Sequence, residues 1–166
     1  MNGPDEFERI VDRLAIADLL VRYGDCLDTR RFELLETEVF AADADVDFGW
    51  GHWRSSAEVT RWMQATFERF SGTLHALSNQ LIEVDGDEAS STCCVQAYHW
   101  LRENDDSDRM RPADFVFTGM YEDRHRRTPD GWRVAWRRFR RLGVSSVGVG
   151  AVPDWMRLDR ERDGRG

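Results

Sequence analysis

The chain has 166 residues, 41% of them hydrophobic, and a formal net charge of −8. This length and composition predict one globular domain and exclude a disordered chain. Because phosphate backbones select basic surfaces, the acidic balance argues against a nucleic-acid partner. No apolar run approaches the ~20 residues of a membrane helix and no signal peptide precedes the first helix, so we expect a cytoplasmic protein with no membrane partner.

The N-terminal part of the chain carries helical patterns. Apolar side chains recur at helical spacing over residues 5–28 and predict one long helix. A short helix is expected near 32–39 and a strand near 46–48. The segment Ser55-Ser-Ala-Glu58 matches a capping box and predicts the start of a third helix. We interpret the preceding acidic residues 43, 45 and 47 as a solvated turn, since the glycine and distal glutamate of a calcium loop are missing.

After Gly72 the hydrophobic period changes from 3.6 to 2, which predicts strands. Four long strands are expected, over residues 73–84, 89–103, 113–126 and 131–142. Three helices followed by an antiparallel meander predict an α+β domain over residues 1–142. In this domain the long helix covers a curved, mainly antiparallel sheet and encloses a cone-shaped apolar pocket for a small molecule.

Asp28 and His75 are the candidate catalytic pair. Asp28 closes the long helix, and His75 lies in the first long strand. A carboxylate that orients an imidazole can remove a proton from carbon. Asp28 has a second interpretation, because it could cap the short helix that follows, where aspartate is preferred. Both interpretations are compatible with the sequence.

Strand parity predicts which side chains accompany the two strand histidines. His75 is expected to share a face with Leu77, Asn79 and Leu81, and His99 to share one with Val95, Ala97 and Leu101. Both faces are plausible linings of the cone, although a lone histidine on such a face is more often an ordinary core residue. His52 and His125 fall in polar, outward-facing surroundings and receive no role. The basic run 137–141 predicts a solvated strand edge.

Aromatic residues supply the remaining pocket candidates. Phe48, Trp50 and Trp53 flank a loop after a strand and are candidates for the mouth of the pocket. Tyr23 could line the pocket or belong to the core. No Cys-x-x-Cys or His-x-x-x-His pair occurs in the chain, so we expect neither a zinc site nor a cofactor.

An ordered set of motifs resembles a known family. It consists of Arg22-Tyr23, Leu27-Asp28, Phe32, Thr73-Leu-His75 with Asn79, Val84-Asp-Gly-Asp87, Gly119-Met-Tyr-Glu-Asp123 and Asp130-Gly-Trp-Arg-Val134. The set is similar to the SnoaL-like group of the nuclear-transport-factor-2-like superfamily and runs from about Phe7 to Arg138. Because this fold hosts many chemistries, the resemblance implies the fold more strongly than the reaction.

Within that group the pattern looks most like scytalone dehydratase and bile-acid 7α-dehydratase. The resemblance implies catalytic roles for Asp28 and His75, a tyrosine at Tyr23 and a second histidine at His99. Scytalone dehydratase has a polar side chain on a later strand, at a position that falls near Met120 of this chain. The resemblance therefore places Met120 among the substrate-binding residues. Phe48 replaces a pocket tyrosine of that enzyme, so the same substrate is not expected.

These observations predict a cofactor-independent dehydratase for a hydrophobic cyclic compound, polyketide- or steroid-like. In this scheme His75 is the base, Asp28 orients it, and His99 or Tyr23 protonates the departing hydroxyl group. An isomerase or cyclase would use the same residues. A non-catalytic ligand-binding module would lack contact between Asp28 and His75.

Two further expectations concern assembly and the C-terminal tail. The resemblance implies a homodimer or homotrimer that forms through the outer face of the sheet. The tail, residues 143–166, is apolar and rich in glycine. It predicts either a lid over the pocket, with Trp155 and Met156 covering the ligand, or a packed terminal strand.

Overall fold

The structure is a computed structural model that describes residues 6–105 and 111–146. Its helices are α1 (Glu6–Asp28) and α2 (Ser56–Phe67), with a short π-helix at Leu35–Val39 and a 3₁₀ turn at Arg102–Asn104. Its strands are β1 (Phe40–Asp47), β2 (His52–Trp53), β3 (Phe70–Asp85), β4 (Glu88–Leu101), β5 (Phe115–Thr128) and β6 (Gly131–Ser146). Residues 143–146 of the predicted tail belong to β6, and the rest of the tail, with the predicted lid residues Trp155 and Met156, lies outside the described residues.

One sheet holds all six strands in the order β2-β1-β6-β5-β4-β3. Strands β3 to β6 form an antiparallel meander, and β1 pairs in parallel with β6. The sheet is curved and does not close, and the helices cover its inner face. The α+β prediction is therefore confirmed, including the cone shape and the mainly antiparallel sheet.

Helix α1 packs closely against β3, the edge strand of the sheet. Its buried side chains, among them Ile16, Leu20 and Leu27, lie about one or two turns apart and form one apolar face. Gly24 allows the close approach, because a Cβ at this position would lie 3.0 Å from Leu77 Cδ1 and 3.3 Å from His75 Cβ. The last turn of α1 therefore lies directly over the part of β3 that carries His75.

A β-bulge divides β3 into two halves of opposite phase. The pairing register with β4 shifts between Ser78 and Leu81, and Asn79 has a φ of 53°. The extra residue reverses the faces of the side chains that follow it. His75 and Leu77 point toward the helix, but Asn79 and Leu81 are exposed, so the prediction that all four share one face is wrong.

The charged segments differ from their predicted surroundings. Residues 43, 45 and 47 lie within β1, which begins at Phe40 and pairs with β2 and β6, so the predicted solvated turn is wrong. Arg137 is fully buried, because β6 lies between β5 and β1 and its inward positions enter the core. Arg138 and Arg140 on the opposite face are exposed, as predicted.

The outer face of the sheet carries apolar side chains that include Leu74, which is 52% exposed. Assembly through this face remains a prediction. Among the described residues, no helix is long and apolar enough to cross a membrane.

Candidate active site

Asp28 and His75 form a hydrogen-bonded pair at the end of α1, here called the dyad. The Nδ1 atom of His75 lies 2.7 Å from Asp28 Oδ1. The backbone N–H of His75 donates to Oδ2 at 2.7 Å, and Thr73 Oγ1 donates to Oδ1 at 2.9 Å. Three hydrogen bonds from one strand therefore fix the carboxylate. Because Asp28 accepts from Nδ1–H, the proton-accepting nitrogen of neutral His75 is Nε2.

These bonds decide between the two interpretations of Asp28. Its carboxylate accepts hydrogen bonds from β3, and the helical segment that follows has no side-chain cap. Capping is thus not the role of Asp28. Burial alone would raise the pKa of Asp28, but the hydrogen bonds and charge of His75, aided by Thr73, outweigh it and lower the pKa. The carboxylate stays ionised at neutral pH and can stabilise a protonated imidazole.

The dyad opens onto a cavity inside the cone. The empty space within its walls is about 510 Å³, including the part that is open to solvent. Its wall is mainly apolar and includes Leu27, Met63, Phe67, Phe70, Val95 and Ala97. The side chains with polar atoms that line it are His75, His99, Tyr23, Tyr121, Thr66 and the indoles of Trp50 and Trp62.

Aromatic rings form a continuous path around this cavity. From the dyad, the ring centroids follow one another at 5.9 Å (His75 to His99), 5.7 Å (His99 to Phe117), 5.7 Å (Phe117 to Trp50), 5.5 Å (Trp50 to Phe139), 5.4 Å (Phe139 to Tyr121) and 5.6 Å (Tyr121 to Tyr23). Trp50 is the middle ring of this path, three steps from His75 and three from Tyr23. Since Tyr23 adjoins Gly24, which lies over His75, the path nearly closes on itself.

His99 lies deeper in the cavity wall than His75. Its ring stacks on Phe115 at 4.6 Å and contacts Phe70 at 4.8 Å. Burial, together with the nearby His75, lowers the pKa of His99 well below its usual value. His99 is consequently neutral at physiological pH and can act as a hydrogen-bonding group, but not as a permanent cation.

Tyr23 and Tyr121 form the second polar element of the cavity. Their hydroxyl groups share a hydrogen bond of 3.4 Å, and burial raises the pKa of both. Behind them, the Arg137 guanidinium lies 4.1 Å from the Tyr23 ring centroid and 4.2 Å from that of Tyr121. Arg137 also forms a two-bond ion pair with Asp123, at 2.7 and 2.6 Å. A buried cation therefore underlies the two phenol rings.

His125 is buried next to this ion pair, so its predicted outward orientation is wrong. The side chain is 2% exposed, and its Nε2 lies 2.8 Å from Ser91 Oγ. Burial lowers the pKa of His125 to about 4, so the imidazole is neutral in the folded protein. The bulge between Arg124 and His125 accompanies this inward orientation. His52, by contrast, is exposed and pairs with Asp45 at 2.6 Å.

Two predicted substrate-binding residues lie elsewhere. Met120 faces outward on β5, where its sulfur accepts a hydrogen bond from Arg140, so its assignment to the pocket is wrong. The inward-facing positions of β5 are instead Phe117, Gly119 and Tyr121. Because successive residues of a strand face opposite sides of the sheet, Met120 faces outward. Trp53 does not line the cavity but packs against Trp62, with 4.4 Å between ring centroids. Phe48 and Trp50 do line it, as predicted.

Among the wall residues that sequence reasoning missed are Phe117, Tyr121 and Phe139. A signal for the first two was present, because aromatic residues alternate along β5 at positions 115, 117 and 121. Phe139 lies within the basic run 137–141. Because the run was interpreted as a solvated strand edge, the alternation that turns Phe139 inward was overlooked. The described residues contain no group of three or more His, Cys, Asp or Glu side chains that could hold a metal ion.

This combination of fold and site agrees with the family comparison. The model of the SnoaL-like domain matches residues 8–138. The chain belongs to the SnoaL-like family, within the nuclear-transport-factor-2-like superfamily.

Individual proteins add detail to this assignment. An uncharacterized protein of Mycobacterium tuberculosis is 36% identical over 129 residues, which cover 75% of this chain and 82% of that protein. A candidate scytalone dehydratase from Novosphingobium aromaticivorans is similar in structure, with a TM-score of 0.72, 23% identity and coverage of 86% of this chain and 92% of that one. Hexachlorocyclohexane dehydrochlorinase from Novosphingobium barchaimii gives a TM-score of 0.73 at 19% identity, covering 90% and 99%. At these identities the two structures establish the shared fold alone.

Proposed function

We propose that the protein is a cofactor-independent lyase, a dehydratase of a hydrophobic cyclic compound that is polyketide- or steroid-like. The observation that carries the proposal is the dyad at the wall of the apolar cavity, with 2.7 Å between Asp28 Oδ1 and His75 Nδ1. A non-catalytic module would not require this contact. Enzymes named for elimination chemistry among the structural neighbours support the proposal.

His75 removes the proton from carbon. Its Nε2 accepts this proton, and Asp28 stabilises the imidazolium through the hydrogen bond at Nδ1. The apolar wall keeps water away, which strengthens the attraction between the two charges. A positioned base of this kind typically contributes ~10²–10⁴-fold in rate.

The oxygen that gains negative charge binds at the hydroxyl groups of Tyr23 and Tyr121. Neutral phenols can donate hydrogen bonds to a carbonyl oxygen, and the positive charge of Arg137 behind their rings favours the negative charge that develops there. The substrate is accordingly a ketone with a hydroxyl group on the β carbon. The C–H electron pair forms the new double bond as the hydroxyl group departs with its own bonding pair.

The proton taken by His75 leaves with the hydroxyl group as water, so every side chain returns to its starting state. His99 delivers this proton, because the hydroxyl group of Tyr23 already donates to the ketone oxygen. His99 lines the cavity, and its ring centroid is 5.9 Å from that of His75. Because burial keeps His99 neutral, it would act as a relay between His75 and the hydroxyl group.

The test uses 3-hydroxy-1-tetralone, a bicyclic β-hydroxy ketone that gives fluorescent 1-naphthol on dehydration. We expect turnover by the wild-type protein and a product that has lost one water by mass spectrometry. His75→Ala should lower kcat by at least about 10²-fold, and Asp28→Asn nearly as much. The double variant should be no slower than His75→Ala, because the dyad acts as one unit.

A matched control exists on the surface. His52→Ala and Asp45→Asn remove an exposed pair of the same chemistry, with an N–O distance of 2.6 Å, and should leave kcat unchanged. If the double dyad variant dehydrates the compound at the wild-type rate, the assignment fails. A product of unchanged mass would instead indicate an isomerase or cyclase that uses the same dyad.

A further inference from the structure

Trp50 is the middle ring of the aromatic path that begins at His75 of the dyad and ends at Tyr23. It is carried by the short connection between β1 and β2. Its indole stacks on Phe117 at 5.7 Å with an interplanar angle of 19°, and on Phe48 at 5.8 Å with an angle of 24°. Phe139 contacts it edge-on at 5.5 Å. Three neighbouring rings thus fix the plane of the indole within the cavity wall.

The connection that carries Trp50 is itself well ordered by hydrogen bonds. The N–H of Phe48 donates to the carbonyl of Gly51 at 3.0 Å, and the N–H of Gly49 donates to Asp47 Oδ1 at 2.7 Å. Gly49 has a φ of 83°, which the turn requires. The backbone therefore holds the indole in one place, so its polar atom has a defined position.

That polar atom has no acceptor among the residues that the structure describes. Trp50 Nε1 is buried, and no side chain or backbone oxygen in 6–105 or 111–146 accepts its N–H. Buried indole N–H groups usually find a partner, and leaving a donor unpaired is unfavourable. Trp132 offers a comparison within the same chain, since its Nε1 donates to Asp12 at 3.0 Å. The difference is that Trp132 ties α1 to the sheet, whereas Trp50 lines the cavity.

We propose that the Trp50 N–H binds an acceptor oxygen of the substrate, and that it thereby selects compounds with a second oxygen across the ring system from the reacting ketone. This inference rests on the proposed function, which places the reacting ketone oxygen at Tyr23 and Tyr121. Phe139 contacts the rings of both Trp50 and Tyr121, at 5.5 and 5.4 Å. In this proposal the indole and the two phenols bind different oxygen atoms, so the substrate is an alicyclic or partly aromatic ketone with two separated oxygen functions.

The discriminating experiment compares two probes of the same shape. Trans-decalin-1,5-dione carries a second carbonyl oxygen across the bicycle, and trans-1-decalone carries a methylene there. Isothermal titration with the wild-type protein should show that the dione binds about tenfold more tightly, which corresponds to about 1.4 kcal/mol. If hydrophobicity alone determined the affinities, the monoketone would bind more tightly than the dione, because the dione loses more hydration on binding.

Substitution of the donor tests the assignment to Trp50. Trp50→Phe keeps an aromatic ring in the stack but removes the N–H, so the preference for the dione should disappear while the monoketone still binds. Trp136→Phe removes an indole from outside the cavity and should retain the preference. In ¹⁵N–¹H spectra of the wild-type protein, the indole resonance lost in Trp50→Phe should move with the dione and not with the monoketone.

The outcomes separate this inference from the proposed function. Equal affinities for the two probes overturn it and would indicate that a water molecule takes the N–H. A preference that survives in Trp50→Phe, an unmoved indole resonance, or no binding of either probe also overturns it. Dehydration kinetics in the dyad variants are measured separately, so a failure of catalysis is distinguishable from a failure of recognition.

Discussion

Two carboxylates on the inner side of the cone are each paired with a basic side chain, yet the two pairs differ in what they can do. Asp28 binds His75 at 2.7 Å, and Asp123 binds Arg137 at 2.7 and 2.6 Å. The Asp123–Arg137 pair is completely buried, and although burial alone would lower the pKa of Arg137, the charge and hydrogen bonds of Asp123 raise it, so the guanidinium stays charged. The dyad instead contains a base that can exist without charge.

The difference separates a structural role from a chemical one. An arginine cannot release its proton at physiological pH, so the Asp123–Arg137 pair cannot act as an acid or a base; it supports the rings of Tyr23 and Tyr121 and supplies a fixed positive charge behind them. A histidine can accept and release one, and Nε2 of His75 is not used by Asp28. We therefore expect substitutions in the first pair to affect stability and substitutions in the dyad to affect activity.

The largest effect is expected for Arg137→Met. Removing the guanidinium leaves the buried carboxylate of Asp123 without its partner, which costs about 3–5 kcal/mol in the free energy of unfolding. Urea denaturation followed by circular dichroism measures this loss. The double variant Arg137→Met, Asp123→Leu should recover part of it. The exposed neighbour is the control, since Arg138→Met should change stability by less than about 0.5 kcal/mol.

A smaller effect is expected from His125, and it depends on pH. Burial lowers its pKa from 6.5 to about 4. As the pH falls through this window, the unfolded chain binds a proton at residue 125 and the folded protein does not, so the folded state loses stability. The full shift corresponds to about 3 kcal/mol. Urea denaturation at pH 6.5 and 4 should show that wild type loses about this much more than His125→Gln.

The surface histidine provides the comparison for that measurement. His52 is exposed to solvent, so His52→Gln serves as the control for the loss of a histidine side chain at the surface. An equal pH dependence in His125→Gln and wild type would mean that His125 titrates normally, and the contrast between buried and exposed histidines would then be lost.

The smallest effect on stability is expected in the dyad. In Asp28→Asn an amide oxygen at the Oδ1 position still accepts from Thr73 and from His75 Nδ1, so the hydrogen bond from the His75 backbone N–H is the one lost. We expect a loss of about 1 kcal/mol in urea denaturation at pH 7, together with the large loss of kcat described above. If Asp28→Asn destabilises the protein as strongly as Arg137→Met does, the dyad has a structural role and the comparison fails.

The sequence predicted the elements and the dyad because these depend on local patterns. The helical spacing up to Asp28 and the alternation around His75 each identify a rigid element, and the pairing follows when α1 lies on β3. The family resemblance supported the same two residues.

The incorrect predictions for charged and strand residues arose because the pairing register between two strands cannot be read from the sequence of either strand alone. Asp123 and Arg137 are directly opposite each other on β5 and β6, and each looks like a surface charge until this register is known. The bulge at Asn79 requires a positive φ at a residue other than glycine, which hydrophobic alternation does not indicate. Without the bulge, Asn79 and Leu81 would have faced inward.

The bulge at Asn79 also divides β3 into two segments whose side-chain orientations are set by different contacts. The half of β3 before it is constrained by α1, because Gly24 and Asp28 contact the segment that carries His75. The half after it has its own phase and its own pairing with the start of β4. Changes in the distal hairpin can therefore alter that end of the domain without turning His75 away from the cavity.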